Sequence, residues 1–200
     1  MLFLRLKAFD LCLLICYSWV VKIVVVSDTH RSVELAEQVI RDAGPLDLLI
    51  HLGDYLEDGV ELAQRLGVAF YGVRGDNDFS PGKAELVLEL SGVRLFLVHG
   101  HSYNIDEGLE ALYNEARARE AQVVLFGHSH RPGIFSREGI YMLNPGNLYL
   151  AEKENSLGVL RLELPGIFLG IFYPRGKGFI HVRKISPGAG QHPDHVQCPR

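Results

Sequence analysis

Short β-branched apolar runs recur along this chain, and five of them end in Asp, Asn or His. Val24-Val25-Val26 leads into Ser27-Asp28-Thr29-His30, and Leu48-Leu49-Ile50 into His51-Leu52-Gly53-Asp54. Val73-Arg74 leads into Gly75-Asp76-Asn77-Asp78, Leu97-Val98 into His99-Gly100-His101, and Leu125-Phe126 into Gly127-His128-Ser129-His130. Between the runs the apolar period becomes helical. Val33, Leu35, Ala36, Val39 and Ile40 precede Gly44-Pro45; Val60, Leu62, Ala63 and Leu66 precede Gly67; a third helix is predicted over residues 106–119. Buried strands alternating with amphipathic helices restrict the chain to an α/β fold with a largely parallel sheet. In such sheets ligands bind outside the carboxyl ends of the strands, so the five polar ends are expected to converge on one cleft at one sheet edge.

The second half adds antiparallel pieces. Glu85–Leu90 and Val93–Val98 flank Ser91-Gly92 as a hairpin, and residues 140–143 and 157–164 read as strands around Asn144-Pro145-Gly146-Asn147. The stretch from Pro165 is expected to add an edge hairpin turning at residues 174–178, followed by a disordered tail in which His192 and His195 are ordinary polar residues. Residues 1–20 form a separate extension. Their apolar run, residues 11–21, is shorter than the ~20 residues of a membrane span, and no small-residue cleavage site follows it. Such an extension is consistent with a poorly ordered leader or a start assigned upstream. The expected organisation is therefore an extension over 1–20, a domain over 21–164, and an edge hairpin with tail over 165–200.

With 200 residues, 48% of them apolar and 22% charged, the chain has a globular composition and the length of one domain. A net charge of −4 argues against a polynucleotide-binding surface. Cys12, Cys16 and Cys198 suggest no disulfide framework, which favours a reducing, cytoplasmic setting.

Each polar end has an ordinary reading by itself. Asp-Thr-His, His-Leu-Gly-Asp and Gly-Asp-Asn-Asp are compositions of turns and caps. His51, His181, His192 and His195 are read by default as core or surface residues. Gly-His-Ser-His is more specific, because residues i and i+2 of an extended segment share a face, so His128 and His130 can reach neighbouring ions. His99 and His101 share that spacing. Five such ends in one chain point to divalent-metal chemistry.

In this order the five motifs resemble those of the calcineurin-like metallophosphoesterase superfamily, and the spacing resembles its small bacterial and archaeal phosphodiesterase branch. The resemblance spans about residues 21–164. It implies a two-sheet β-sandwich flanked by helices, four layers in all, with two divalent metals at the carboxyl ends of the strands. By that resemblance Asp28, His30 and His130 would hold the first metal and Asp54 would bridge the two. His99, His128 and the residue after Gly75 would hold the second. Strict alignment makes that residue Asp76, with Asn77 facing substrate and Asp78 orienting the loop; a shift by one would make Asn77 the ligand. A carboxylate suits a hard cation better than an amide does, whereas Asn cannot act as a general acid.

The implied activity is hydrolysis of a small phosphodiester or phosphomonoester by a metal-bridging hydroxide, with no protein nucleophile. Arg74, Arg131, His101 and Asn104 adjoin the motifs as candidate substrate contacts, His101 also as a catalytic residue. Mn²⁺ is the first choice of metal, with Fe, Zn, Ni and Mg open. Homo-oligomerisation is left open, and no membrane partner is implied. The competing reading is a non-catalytic scaffold. One eukaryotic trafficking subunit of this fold works by protein binding, but it carries Asn where this chain has Asp54.

Overall fold

β1 (Val21–Val26) shows how one apolar run serves two cores. Successive strand residues point to opposite faces. Ile23 and Val25 accordingly pack between two sheets, while Val24 and Val26 pack beneath helices. The computed structural model describes residues 20–79, 81–163, 166–174 and 178–185. The three cysteines, the expected extension apart from Val20, and the expected tail beyond residue 185 lie outside the described residues.

β1 is followed by α1 (Val33–Asp42), β2 (Leu48–His51), α2 (Leu56–Leu66) and β3 (Ala69–Gly72). Next come β4 (Glu85–Leu90), β5 (Val93–Val98), a 3₁₀ turn at His101–Tyr103, α3 (Glu110–Ala118) and β6 (Val123–Phe126). β7 (Gly133–Arg137), β8 (Ile140–Asn144), β9 (Leu157–Glu163), β10 (Gly166–Tyr173) and β11 (Gly178–Ile185) complete the order. The strands form a six-stranded sheet, β11-β10-β9-β1-β2-β3, and a five-stranded sheet, β4-β5-β6-β8-β7. Both are mixed: β1/β2/β3 and β5/β6/β8 run parallel, and the added strands pair antiparallel.

Three cores separate four layers. Ile23, Val25 and Ile50 meet Leu95, Leu97, Val123 and Leu125 between the sheets. Val24, Val26 and Leu49 pack against Ala36, Val39, Ile40 and Leu62 of α1 and α2. Phe96, Val98, Val124 and Phe126 pack against Leu112, Tyr113 and Ala116 of α3. This is the α/β sandwich flanked by helices that the resemblance implied.

Three local expectations need correction. The polar ends do not share one sheet edge: those of β1, β2 and β3 belong to the six-stranded sheet, those of β5 and β6 to the other. The third helix is shorter than residues 106–119 because turns occupy residues 104–107 and Gly108 sits at φ 152. Val60 does not join the core but is 42% exposed. α2 turns Gly59 inward instead, where an added Cβ would lie 2.7 Å from His51 Cβ. β7 is an additional strand, half-exposed at a sheet edge and paired only with β8.

The predicted hairpin beyond residue 165 is present as β10 and β11, at the edge of the six-stranded sheet. Ile167, Leu169 and Ile171 of β10 are buried. Among the described residues no helix is long and apolar enough to cross a membrane.

Candidate metal centre

The loops after β1, β2, β3, β5 and β6 are laced together by backbone and side-chain hydrogen bonds. Asp28 N–H donates to Gly53 O at 3.0 Å, Leu52 N–H to Val26 O at 2.9 Å, and Gly127 N–H to His99 O at 2.8 Å. Glycine permits the closest approaches: a Cβ at Gly75 would lie 2.2 Å from Asp54 Oδ1, and one at Gly127 2.0 Å from Ser27 Oγ. Asp28 (φ 54), His30 (φ 45), Asp54 (φ 57), His128 (φ 68) and His130 (φ 56) all have left-handed backbone. For side chains other than Gly this conformation costs energy and collects at functional sites. Here it turns each polar side chain back over the end of its strand.

Three groups of side chains bring ligand atoms within 4.8 Å of one another: Asp28, His30 and His130; Asp76, His99 and His128; and Asp28, Asp54 and His99. The last joins the first two. Asp54 Oδ2 lies 3.7 Å from His30 Nε2, and Asp54 Oδ1 lies 3.4 Å from His99 Nε2. His130 Nε2 faces Asp28 Oδ1 at 3.3 Å. Asp76 Oδ1 is 3.1 Å from His99 Nε2 and 3.4 Å from His128 Nδ1.

The residues beside Asp76 do other work. Asn77 Nδ2 donates to Asp54 Oδ2 at 2.6 Å, and its backbone N–H donates to Asp54 Oδ1 at 3.0 Å. Asp78 accepts backbone N–H groups from Asp54, Gly75 and Leu56 at 2.9, 2.7 and 2.6 Å. The bonds from Asp54 and Leu56 tie the third loop to the second, and the bond from Gly75 closes the third loop on itself.

Unpaired atoms in the site suit it to cations. Asp28 Oδ1, His30 Nε2, His99 Nε2 and His101 Nδ1 are buried with no hydrogen-bond partner. Such orphaned polar atoms are costly unless something else satisfies them. His99 Nδ1 lies 2.8 Å from the Leu52 carbonyl, which can only accept. Nδ1 therefore carries the proton and Nε2 presents a lone pair, the tautomer a metal ligand needs. Carboxylate and neutral imidazole donors around a shared pocket fit divalent cations well.

Electrostatics agree with that donor set. Burial alone would raise the Asp28 carboxyl, but the adjoining His130 and His99 outweigh it and hold its pKa below the usual range. Burial opposes ionisation of Asp76 too, and its own N–H with His99, His128 and His101 brings that pKa down. Burial, reinforced by His99, lowers the His101 pKa. Below the site, fully buried His51 accepts Gly53 N–H through Nδ1 at 3.1 Å, so Nε2 donates to Thr29 Oγ1 at 3.1 Å. Thr29 passes its own hydroxyl proton to Asp58 Oδ2 at 2.7 Å. Burial drives the His51 pKa down to about 4, keeping this chain of bonds neutral at its histidine.

His101 stands at the rim, its Nδ1 3.7 Å from Asp76 Oδ1. Asn104 forms a left-handed turn whose carbonyl caps Glu107 N–H. Arg74 and Arg131 are exposed and belong to none of the converging groups. The cavity beside Asn77 takes its arginine from Arg31, along with Tyr55 and Phe79. Those three were not singled out from sequence, although Arg31 and Tyr55 directly follow His30 and Asp54 and so share their turns. Asn144, read only as part of a turn, is buried and supports the fifth loop by donating to Gly127 O at 2.9 Å and Ser129 Oγ at 3.1 Å.

The chain is 31% identical over 145 residues to Probable metallophosphoesterase YsnB of Bacillus subtilis, covering 70% of this chain and 84% of that one. It is 29% identical over 167 residues to Phosphodiesterase YfcE of Escherichia coli K12, covering 70% and 86%. Among solved structures, Vacuolar Protein Sorting 29 of Cryptosporidium parvum superposes with a TM-score of 0.70 at 18% identity, over 84% of this chain and 98% of that one; at that identity the likeness concerns the fold. The profile of the calcineurin-like phosphoesterase superfamily domain matches residues 21–165, the segment that carries every converging side chain, and the chain belongs to that superfamily.

Proposed function

We propose that the chain is a binuclear, metal-dependent phosphodiesterase acting on small phosphate esters in the cytoplasm. In this reading Asp28, His30 and His130 hold one cation, Asp76, His99 and His128 hold the other, and Asp54 is shared. The observation that carries it is the set of buried, partnerless atoms on Asp28, His30 and His99 facing one another across Asp54. A pair of divalent ions would supply Lewis-acid polarisation of the phosphoryl group and a water acidic enough to attack near neutral pH.

The protein's own part is positioning. Asn77 holds the Asp54 carboxylate by two hydrogen bonds, through its amide and its backbone N–H. Asp78 locks the loop that carries both Asp76 and Asn77. His99 is fixed in one tautomer by Leu52 O. Asn77 offers no proton to a leaving group, so esters with good leaving groups are the favoured substrates. His101, at the rim, is a titratable side chain beside the ligand set, its Nδ1 3.7 Å from Asp76 Oδ1. Mn²⁺ suits a mixed imidazole and carboxylate environment.

Asp54 is a carboxylate able to bridge, which supports hydrolysis over a scaffold role. The test is turnover of bis-p-nitrophenyl phosphate after exhaustive chelation and after adding Mn²⁺. Activity should vanish and return; full activity in rigorously metal-free protein would overturn the reading.

A further inference from the structure

A cavity of about 310 Å³ opens beside the centre, lined by Arg31, Tyr55, Glu57, Asp58, Asn77 and Phe79. That is the lower end of the roughly 300–1,000 Å³ usual for small-molecule sites. Three of its residues directly follow a member of the converging groups: Arg31 follows His30, Tyr55 follows Asp54, and Asn77 follows Asp76. Arg31 (φ 62) and Tyr55 (φ 69) continue the left-handed backbone of the residues before them. Two consecutive left-handed residues in each of two loops are strained, and such strain persists where surrounding structure holds it for a purpose. Here the Arg31 N–H is anchored on Asp58 Oδ2 at 2.8 Å.

The strained turns place a cation over a ring. The Arg31 guanidinium lies 5.4 Å from the centre of the Tyr55 ring. A guanidinium is planar and weakly hydrated, which suits it to stacking on a second ring. Phe79, which lines the same cavity, is 98% exposed and directly follows the anchored Asp78. An isolated exposed apolar residue is unremarkable by itself. An exposed phenyl ring lining a cavity that also contains a tyrosine and an arginine offers a stacking surface. Glu57 and Asp58 line the same space; their charge disfavours a second anionic group there and favours a neutral one.

We propose that this cavity receives the ester group of the substrate, and that this group is a planar aromatic ring, aryl or nucleobase, stacked among Arg31, Tyr55 and Phe79. The inference rests on reading the adjoining centre as the place where the phosphate binds. With the phosphate there, Asn77 marks the boundary between the phosphoryl site and the ring site.

The test is calorimetric binding to the Mn²⁺-loaded full chain of phenylphosphonate, methylphosphonate and a nucleoside 5′-phosphonate, whose P–C bonds are not hydrolysed. Phenylphosphonate should bind about tenfold more tightly than methylphosphonate, the scale of one stacked and buried ring. Phe79→Ala and Arg31→Met should each bring that ratio toward one. Phe79 contributes nothing to the core, so its variant keeps the test independent of folding. A nucleoside phosphonate binding more tightly than phenylphosphonate assigns the ring to a nucleobase; weaker binding assigns it to a simple aryl group. Equal affinity for the methyl and phenyl compounds, or a ratio indifferent to both substitutions, overturns the ring site and leaves the centre intact. If neither phosphonate binds, the reading of the centre falls and the ring site falls with it.

Discussion

Asp28 and Asp76 are the same residue type in the two outer groups of one cluster, yet the Asp28 side chain is fully buried and that of Asp76 is 43% exposed. Asp28 is held from several sides. Its N–H donates to Gly53 O, and its Oδ2 accepts the N–H of His128 at 3.2 Å. Below it, the buried bonds from His51 through Thr29 to Asp58 fix the same loop. Asp76 sits on a turn whose anchoring falls to its neighbours: Asn77 ties to Asp54, and Asp78 ties to three backbone groups. The rigid element of that second group is His99, with no exposed surface and a proton committed to Leu52 O. The difference teaches that one half of the centre is built into the sandwich, while the other is completed by a side chain at its surface. If each half binds a cation as proposed, the first should hold its ion more firmly and the second should yield first when either is disturbed.

Asp54, between the halves, is where the comparison breaks most severely. In the proposed binuclear reading, Asp54→Asn removes the charge that both groups would share and would leave two cations less compensated. Metal content should fall below two per chain, and kcat on bis-p-nitrophenyl phosphate should fall by at least about 10²-fold, the scale for losing one electrostatic partner in a transition state. Two retained metals with normal turnover would remove the bridge from the account.

The halves separate next at the third loop. Asp76→Ala should leave about one metal per chain with the Asp28 half still filled, and Asp76→Asn should keep substantial activity because an amide oxygen can still ligate. Asn77→Ala should keep both metals while loosening Asp54, a loss of roughly 10- to 100-fold in activity, as for residues that orient metal ligands. Metal content and kcat of the three variants decide between positions 76 and 77. A second site emptied by Asn77→Ala and untouched by Asp76→Ala would reverse the assignment.

The smallest effect concerns the support beneath the first half. The folded pKa of His51, about 4, lies below its ordinary value of 6.5. The unfolded chain therefore binds the proton first, so this contribution is complete above about pH 6.5 and is lost as pH falls toward 4. Urea unfolding of metal-free protein at pH 7.5 and pH 5 should show wild type losing about 2 kcal/mol more than His51→Gln. An equal loss in both would mean that His51 does not couple the first half to pH.

Much of this centre was readable because it is local. Asp28, His30, Asp54, His99, His128 and His130 follow apolar runs whose length and β-branching announce a strand, and the side-chain chemistry sits directly after each run. The helical faces of α1 and most of α2 were readable for the same reason. Arg31 and Tyr55 were not, because nothing in an arginine or tyrosine codon position tells whether its backbone turns left-handed toward a cavity or right-handed into a helix. Phe79 likewise looked like an ordinary apolar residue until its surroundings were known.

What the sequence determined by itself was an alternation of buried strands and amphipathic helices, the polar residues at the strand ends, and the edge hairpin formed by β10 and β11. Tertiary structure alone decided that those ends belong to two sheets, that Gly59 and not Val60 faces the core, and that the short segment Gly133–Arg137 pairs as β7. It also decided which way each side chain of Gly-Asp-Asn-Asp turns, with Asp76 toward His99, Asn77 toward Asp54, and Asp78 back into its own loop. Period and composition depend on neighbours in sequence, whereas these choices depend on which backbone donors and charges arrive from loops 20 or more residues away.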